Sequence, residues 1–146
     1  MTQVLLVGPQ QMSRDALCSV LANSGDISVR ASTPDYETSV NAVCQHEIDV
    51  VVIDIAGMAD PMAIISDLKQ IRPALHTLVL ASTAEVAGAM MALGAGVQGY
   101  VTKQDDSSTL LAAIRSVAAG TRYVCPAVGW HVAMKLLQAF PPVVAH

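Results

Sequence analysis

Residues 49–55 read DVVVIDI. Val50 to Ile53 is an unbroken run of β-branched apolar residues with the length of one strand. It lacks the polar alternation of a sheet with one wet face, and so predicts a strand buried on both sides. The run closes on a carboxylate, Asp54, at the end where open parallel sheets gather their functional residues. Comparable runs recur at Gln3 to Val7, Ile27 to Ala31, Thr77 to Ala81 and Gly99 to Val101.

Segments of helical period lie between these runs. Ala16, Leu17, Val20 and Leu21 make one apolar face, and Val40, Val43 and Cys44 make a second. The third helix is announced by Asp60-Pro61, an N-cap followed by proline at the first helical position, and carries Ile64, Ile65, Leu68 and Ile71 before Pro73. A fourth runs from about Ala84 to Leu93 and stops at Gly94 and Gly96. A fifth starts near Asp106-Ser107 and carries Leu110, Leu111, Ile114 and Val117 as far as Gly120. Five βα units in succession predict an α/β fold, a doubly wound five-stranded parallel sheet with helices on both faces. An extra C-terminal helix is expected over about 126–140, with Val128, Val132, Leu136 and Phe140 at spacing four, ended by Pro141-Pro142. The chain then divides into a domain over 1–122 and an extension over 123–146.

Composition bounds the function. The 146 residues are 53% hydrophobic and only 14% charged, which suits one domain with a full core. The apolar runs are broken by Asp long before the roughly 20 residues that span a bilayer, and no basic stretch precedes an apolar one at the start. No membrane segment or signal peptide is expected, and a cytoplasmic location follows. A net charge of −4 and an aromatic content of 3% disfavour direct contact with nucleic acid. Cys18, Cys44 and Cys125 show no metal-ligand spacing and read as small core fillers. GPQQMS after the first strand lacks the GxGxxG spacing of a dinucleotide site.

Taken in order, VLLV before a helix, DVVVIDI, GAGVQGYVTK and LLAAIRSVAAGTRYVCPAV resemble the receiver domains of two-component response regulators. The likeness is to the LuxR/NarL-type branch in particular and covers residues 2 to about 128. It implies the flavodoxin-like (βα)5 receiver fold, with a phosphoryl group accepted on Asp54 from a histidine kinase. It also implies an acidic pair after the first strand that holds Mg²⁺, a Thr or Ser after the fourth strand, and a Lys after the fifth. Here the acidic pair falls on Gly8 and Pro9. The hydroxyl position falls on Ala81, with Ser82 one residue further, where a one-residue bulge would bring it into place. Lys103 matches the lysine, Tyr100 stands where the family often has a switch aromatic, and Gly57-Met58 replaces the usual Met-Pro.

The chemistry of these departures follows from charge. Phosphoryl transfer to a carboxylate brings two anions together and relies on a hard cation and positive groups. Mg²⁺ takes oxygen ligands in near-octahedral order, so loss of both carboxylates at Gly8 and Pro9 predicts weak or absent Mg²⁺ binding, with no other metal site or cofactor. One Asp facing one Lys is neutral as it stands, and a direct Asp54–Lys103 pair is expected. The amides of Met12 to Arg14 open the first helix beside the emptied loop. Either an anion, held by those amides, or the side chains of Gln10 and Gln11 would fill it.

From Ala84 to Thr102 the only charged residue is Glu85, and Met90 and Met91 lie within this stretch. A helix that is apolar nearly all round is expected to be covered, by preference by a second copy of the chain. Trp130, Met134 and Leu137 on the C-terminal helix form the other candidate interface. Together these readings describe an atypical receiver, not an enzyme, that works as a phosphorylation-independent homodimerisation or protein-interaction module in transcription regulation, with any DNA-binding output domain outside this chain. Two alternatives stay open: a phosphoacceptor that still uses Asp54, and a sensor holding a small ligand among Gly8, Pro9, Asp54, Ser82 and Lys103.

Overall fold

Strands form here because their residues bury both faces. Val4 to Val7, Val50 to Ile53 and Leu78 to Leu80 are all at most 2% exposed. A computed structural model describes residues 1–139. The order is β1 (Thr2–Val7), α1 (Gln11–Ala22), β2 (Ile27–Thr33), α2 (Tyr36–Gln45), β3 (Val50–Asp54), α3 (Pro61–Ile71) and β4 (His76–Ala81). It continues with α4 (Val86–Gly94), β5 (Gly99–Thr102), α5 (Ser107–Ala118), β6 (Tyr123–Val124) and α6 (Pro126–Ala139). The strands pair in the order β2-β1-β3-β4-β5-β6, all parallel. The direction of winding reverses between β1 and β3, which opens a crevice at their carboxyl ends.

Alternation along the strands divides the core into two layers. Leu5, Val7, Val51, Ile53 and Val79 pack with Val43, Ile65, Leu68, Ala89 and Val128. Val4, Leu6, Val52, Leu78 and Val101 pack with Leu21, Leu110, Ile114 and Val117. Helices α2, α3, α4 and α6 therefore share one face, and α1 and α5 the other.

Two expectations need correction. The sheet has six strands rather than five, because the main chain turns at Gly120 and lays Tyr123 and Val124 beside Gly99 and Tyr100. There the Tyr123 amide donates to the carbonyl of Gln98 and the Cys125 amide to that of Tyr100. The extension from 123 onward is thus joined to the sheet, and α6 packs on α4 through a face that includes buried Val128. Of the cysteines only Cys125 is buried; Cys18 is half-buried and Cys44 exposed on α2. The expected helix end at Phe140 and Pro141-Pro142, and the side chain of Leu136, lie outside the described residues.

Close packing is tightest at Gly99. A Cβ there would lie 2.9 Å from Cγ2 of Val117 and 3.0 Å from the side chain of Leu78, so only glycine lets α5 sit on β5 at this depth. Gly99→Ala is expected to lower stability by about 1–3 kcal/mol through overpacking, measured by urea unfolding.

Loop carboxylates secure the helix ends. Asp35 and Asp106 cap α2 and α5 by accepting from the amides of Thr38 and Thr109, at 2.9 and 2.8 Å. Asp26 is gripped by Arg115 through two bonds of 2.8 and 2.9 Å, which tie α5 to the turn before β2. The Arg115 bond holds Asp26 below its usual value of 3.8, and the amide bonds do the same for Asp35 and Asp106. Because the folded values are the lower ones, the stability these groups contribute is complete above about pH 3.8 and is lost as pH falls through the folded values. Acidification from neutral pH to about pH 3 should therefore cost the parent chain more stability than it costs Asp26→Asn, as read by denaturation at the two pH values.

Candidate functional site at the carboxyl edge of the sheet

Asp54 closes β3 in unbroken register with β4, paired with Leu80, and its residue is only 2% exposed. Lys103 follows β5 directly, anchored by its amide, which donates to the carbonyl of Ala81 at 2.8 Å. Parallel register thus brings the ends of β3, β4 and β5 level and sets the Lys103 ammonium 2.8 Å from Oδ2 of Asp54. The expected ion pair is present.

A third member comes from α1. The Ser13 hydroxyl donates to Oδ2 of Asp54 at 3.0 Å and accepts from the Lys103 ammonium, also at 3.0 Å. Oδ1 of Asp54 accepts from the Ala56 amide at 3.2 Å. Both carboxylate oxygens are therefore engaged within the chain. The anion is neutralised at contact distance, and the Ser13 hydroxyl both donates to it and accepts from its cation.

The emptied loop is filled by its neighbours. Arg14 donates to the carbonyl of Gly8 and, through Nε, to the Ser32 hydroxyl at 3.0 Å, pinning the end of β1 to β2. A Cβ at Gly8 would lie 3.1 Å from Cβ of Asp54 and 3.7 Å from Cγ of Arg14. Pro9 and the Gln10 amide lie over Gly57, whose φ of +79° suits glycine alone. Ala81 is buried at the end of β4, and β4 keeps an unshifted register with both neighbours, so no bulge carries Ser82 inward; Ser82 is exposed.

Tyr100 turns to the other face. Its ring is 1% exposed and packs with the α4 layer, with its hydroxyl beside Gly88. Burial, reinforced by the nearby charge of Glu85, raises its pKa above the usual 10.0. A cavity of about 200 Å³ joins Tyr100, Ser82, Ala81 and Glu85 on this side. Lys103 instead lines a separate cavity between α1 and α5. Of the residues expected around one crevice, Lys103 thus lines the cavity between α1 and α5 and Ser82 the one beside Tyr100.

Ser13 and Arg14 are the site residues that sequence reasoning missed as side chains. Their signal was helical phase: α1 begins at Gln11, so its first turn presents residues 12–14 to the crevice. At the interface candidates, Met91 and Trp130 are 65% and 67% exposed, Met134 and Leu137 are also exposed, and Met90 is half-buried. Helix α4 is covered in part by α6 of the same chain, which accounts for some of the apolar surface assigned to a partner.

Residues 4–115 match the family described as response regulator receiver domain. The chain is 28% identical over 127 residues to the transcriptional regulatory protein DegU of Brevibacillus brevis, covering 86% of this chain and 54% of DegU. It thus spans about half the length of that relative. A LuxR-family two-component response regulator from Aurantimonas sp. SI85-9A1 superposes with a TM-score of 0.86 at 24% identity, covering 94% of this chain and 99% of that one. RcsB from Salmonella typhimurium superposes with a TM-score of 0.81 at 18% identity, covering 90% of this chain and 67% of that one. Another RcsB structure is described as two dimers bound to two parallel DNAs.

Breaking the pair from one side leaves a buried carboxylate without its cation. Lys103→Met is expected to cost roughly 2–4 kcal/mol in urea unfolding, and adding Asp54→Asn should recover most of that loss, so that the double variant is more stable than Lys103→Met alone.

Proposed function

The chain belongs to the response regulator receiver domain family, and on that premise we propose that it is an atypical member whose surfaces signal without phosphorylation. The observation that carries this reading is the closed group of Asp54, Lys103 and Ser13, in which both oxygens of the carboxylate are already engaged. An incoming phosphodonor would have to displace Lys103 and Ser13, and Ala81 offers no hydroxyl where the family has one.

The residues present do not fit Mg²⁺. Gly8 and Pro9 bring no carboxylate, the Gly8 carbonyl is taken by Arg14, and the one carboxylate lies against an ammonium. Among the described residues no group of three or more His, Cys, Asp and Glu side chains comes together. We assign no step to a metal.

In this reading the domain is a non-enzymatic cytoplasmic module that pairs with a second copy and sets the association state of an output domain outside these residues. Dimers on DNA in RcsB support placing it beside a DNA-binding partner domain, and the net charge of −4 supports leaving DNA contact to that partner. The dimer is assigned to the exposed apolar residues of α4 and α6, with Met91 on one helix and Trp130, Met134 and Leu137 at i, i+4 and i+7 on the other.

Two measurements test this. Intact mass after incubation with acetyl phosphate and Mg²⁺ should show no adduct. A single phosphate that vanishes in Asp54→Asn would instead restore the phosphoacceptor reading. Light scattering should give a dimer that dissociates at least about tenfold more readily in Trp130→Glu, since one buried aromatic anchor carries that much or more.

A further inference from the structure

Between α1 and α5, next to the Asp54–Lys103 pair, lies a cavity of about 220 Å³ that neither the closed group nor the assigned dimer face occupies. Its walls are apolar, from Leu17 and Val20 on α1, Leu80 on β4 and Leu110 on α5. Its mouth carries Lys103, Asp105 and Asp106. An enclosed apolar cavity of about 150 Å³ holds benzene, and this one, broadly open to solvent on one side, has room for a single ring with a short chain.

The mouth selects the head group. Lys103 is committed to Asp54 at 2.8 Å, and that pair carries no net charge. Asp105 accepts from the amide and hydroxyl of Thr102, both through Oδ2 at 2.9 Å. Asp106 accepts from Ser108 and Thr109 through Oδ1. Hydrogen bonds satisfy one oxygen of each carboxylate, and the α5 terminus offsets part of the Asp106 charge. Among the described residues the ion pairs are Lys103–Asp54 and Arg115–Asp26, so neither Asp105 nor Asp106 meets a cation. The mouth is therefore net negative over an apolar chamber: it repels an anionic head and attracts an ammonium. We propose that this α1–α5 cavity binds a small protonated amine carrying a single-ring apolar body. Because Lys103 and Ser13 form part of its wall, occupancy would be felt directly at Asp54.

The test uses three near-isosteric probes on the isotope-labelled full chain: phenethylamine, 2-phenylethanol and phenylacetate. Amide NMR titration should show saturable phenethylamine shifts centred on residues 13–20 and 102–110, with 2-phenylethanol about tenfold weaker or more and phenylacetate without effect. Asp106→Asn, which keeps the helix cap, should weaken phenethylamine binding while leaving the fold unchanged. Ala16→Phe, at the exposed rim, should abolish it by filling the chamber. Absence of saturable amine shifts, phenylacetate binding as tight as the amine, or unchanged binding in Ala16→Phe would each overturn the proposal.

Discussion

The meeting of the Lys103 ammonium with the buried carboxylate of Asp54 orders everything around the carboxyl edge of this sheet. A charge as enclosed as Asp54 is tolerated only if it is paired and hydrogen-bonded. Three elements converge to satisfy it: β5 delivers the cation, α1 the Ser13 hydroxyl, and the loop after β3 the Ala56 amide. The same requirement fixes the level of the strand ends, since a slip of one residue between β3, β4 and β5 would turn Asp54 or Lys103 toward the opposite layer.

At this edge one carboxylate meets one ammonium, so the enclosed charge is neutral as it stands. Gly8 and Pro9 carry no charge, and Arg14 donates to the Gly8 carbonyl beside them. The result is a neutral, hydrogen-bonded group buried at the sheet edge. What remains adaptable lies to either side, in the Tyr100 cavity under α4 and in the chamber between α1 and α5.

Much of this was legible in the sequence because a parallel sheet writes itself in unbroken apolar runs. Val50 to Ile53 could only be a strand buried on both faces, and Asp54 at its end could only stand at the crevice. Lys103 was legible for the same reason, one residue past β5. Ser13 and Arg14 were not, because their roles depend on the helical phase of α1, and VGPQQ does not announce whether the helix starts at residue 10, 11 or 12. Nor did Tyr123 and Val124 advertise a strand: two residues carry no periodicity, and their pairing with β5 follows from the turn at Gly120. The apolar character of α4 was correctly seen, but its cover is partly internal, since α6 returns to the same layer through Val128.

The sixth strand also has a bearing on solubility. A parallel sheet has two lateral edges, each a row of unpaired amides and carbonyls able to template a foreign strand. On one side β6 shields Gly99 and Tyr100, and α6 follows it immediately. On the other side β2 is the last strand, but its register against β1 shifts between Val4 and Leu5, and Arg30 points a charge outward from its middle. Irregularity and charge are the two features that discourage edge-to-edge stacking. Both edges of a chain this rich in apolar residues are thereby poor templates for fibrillar growth through the sheet.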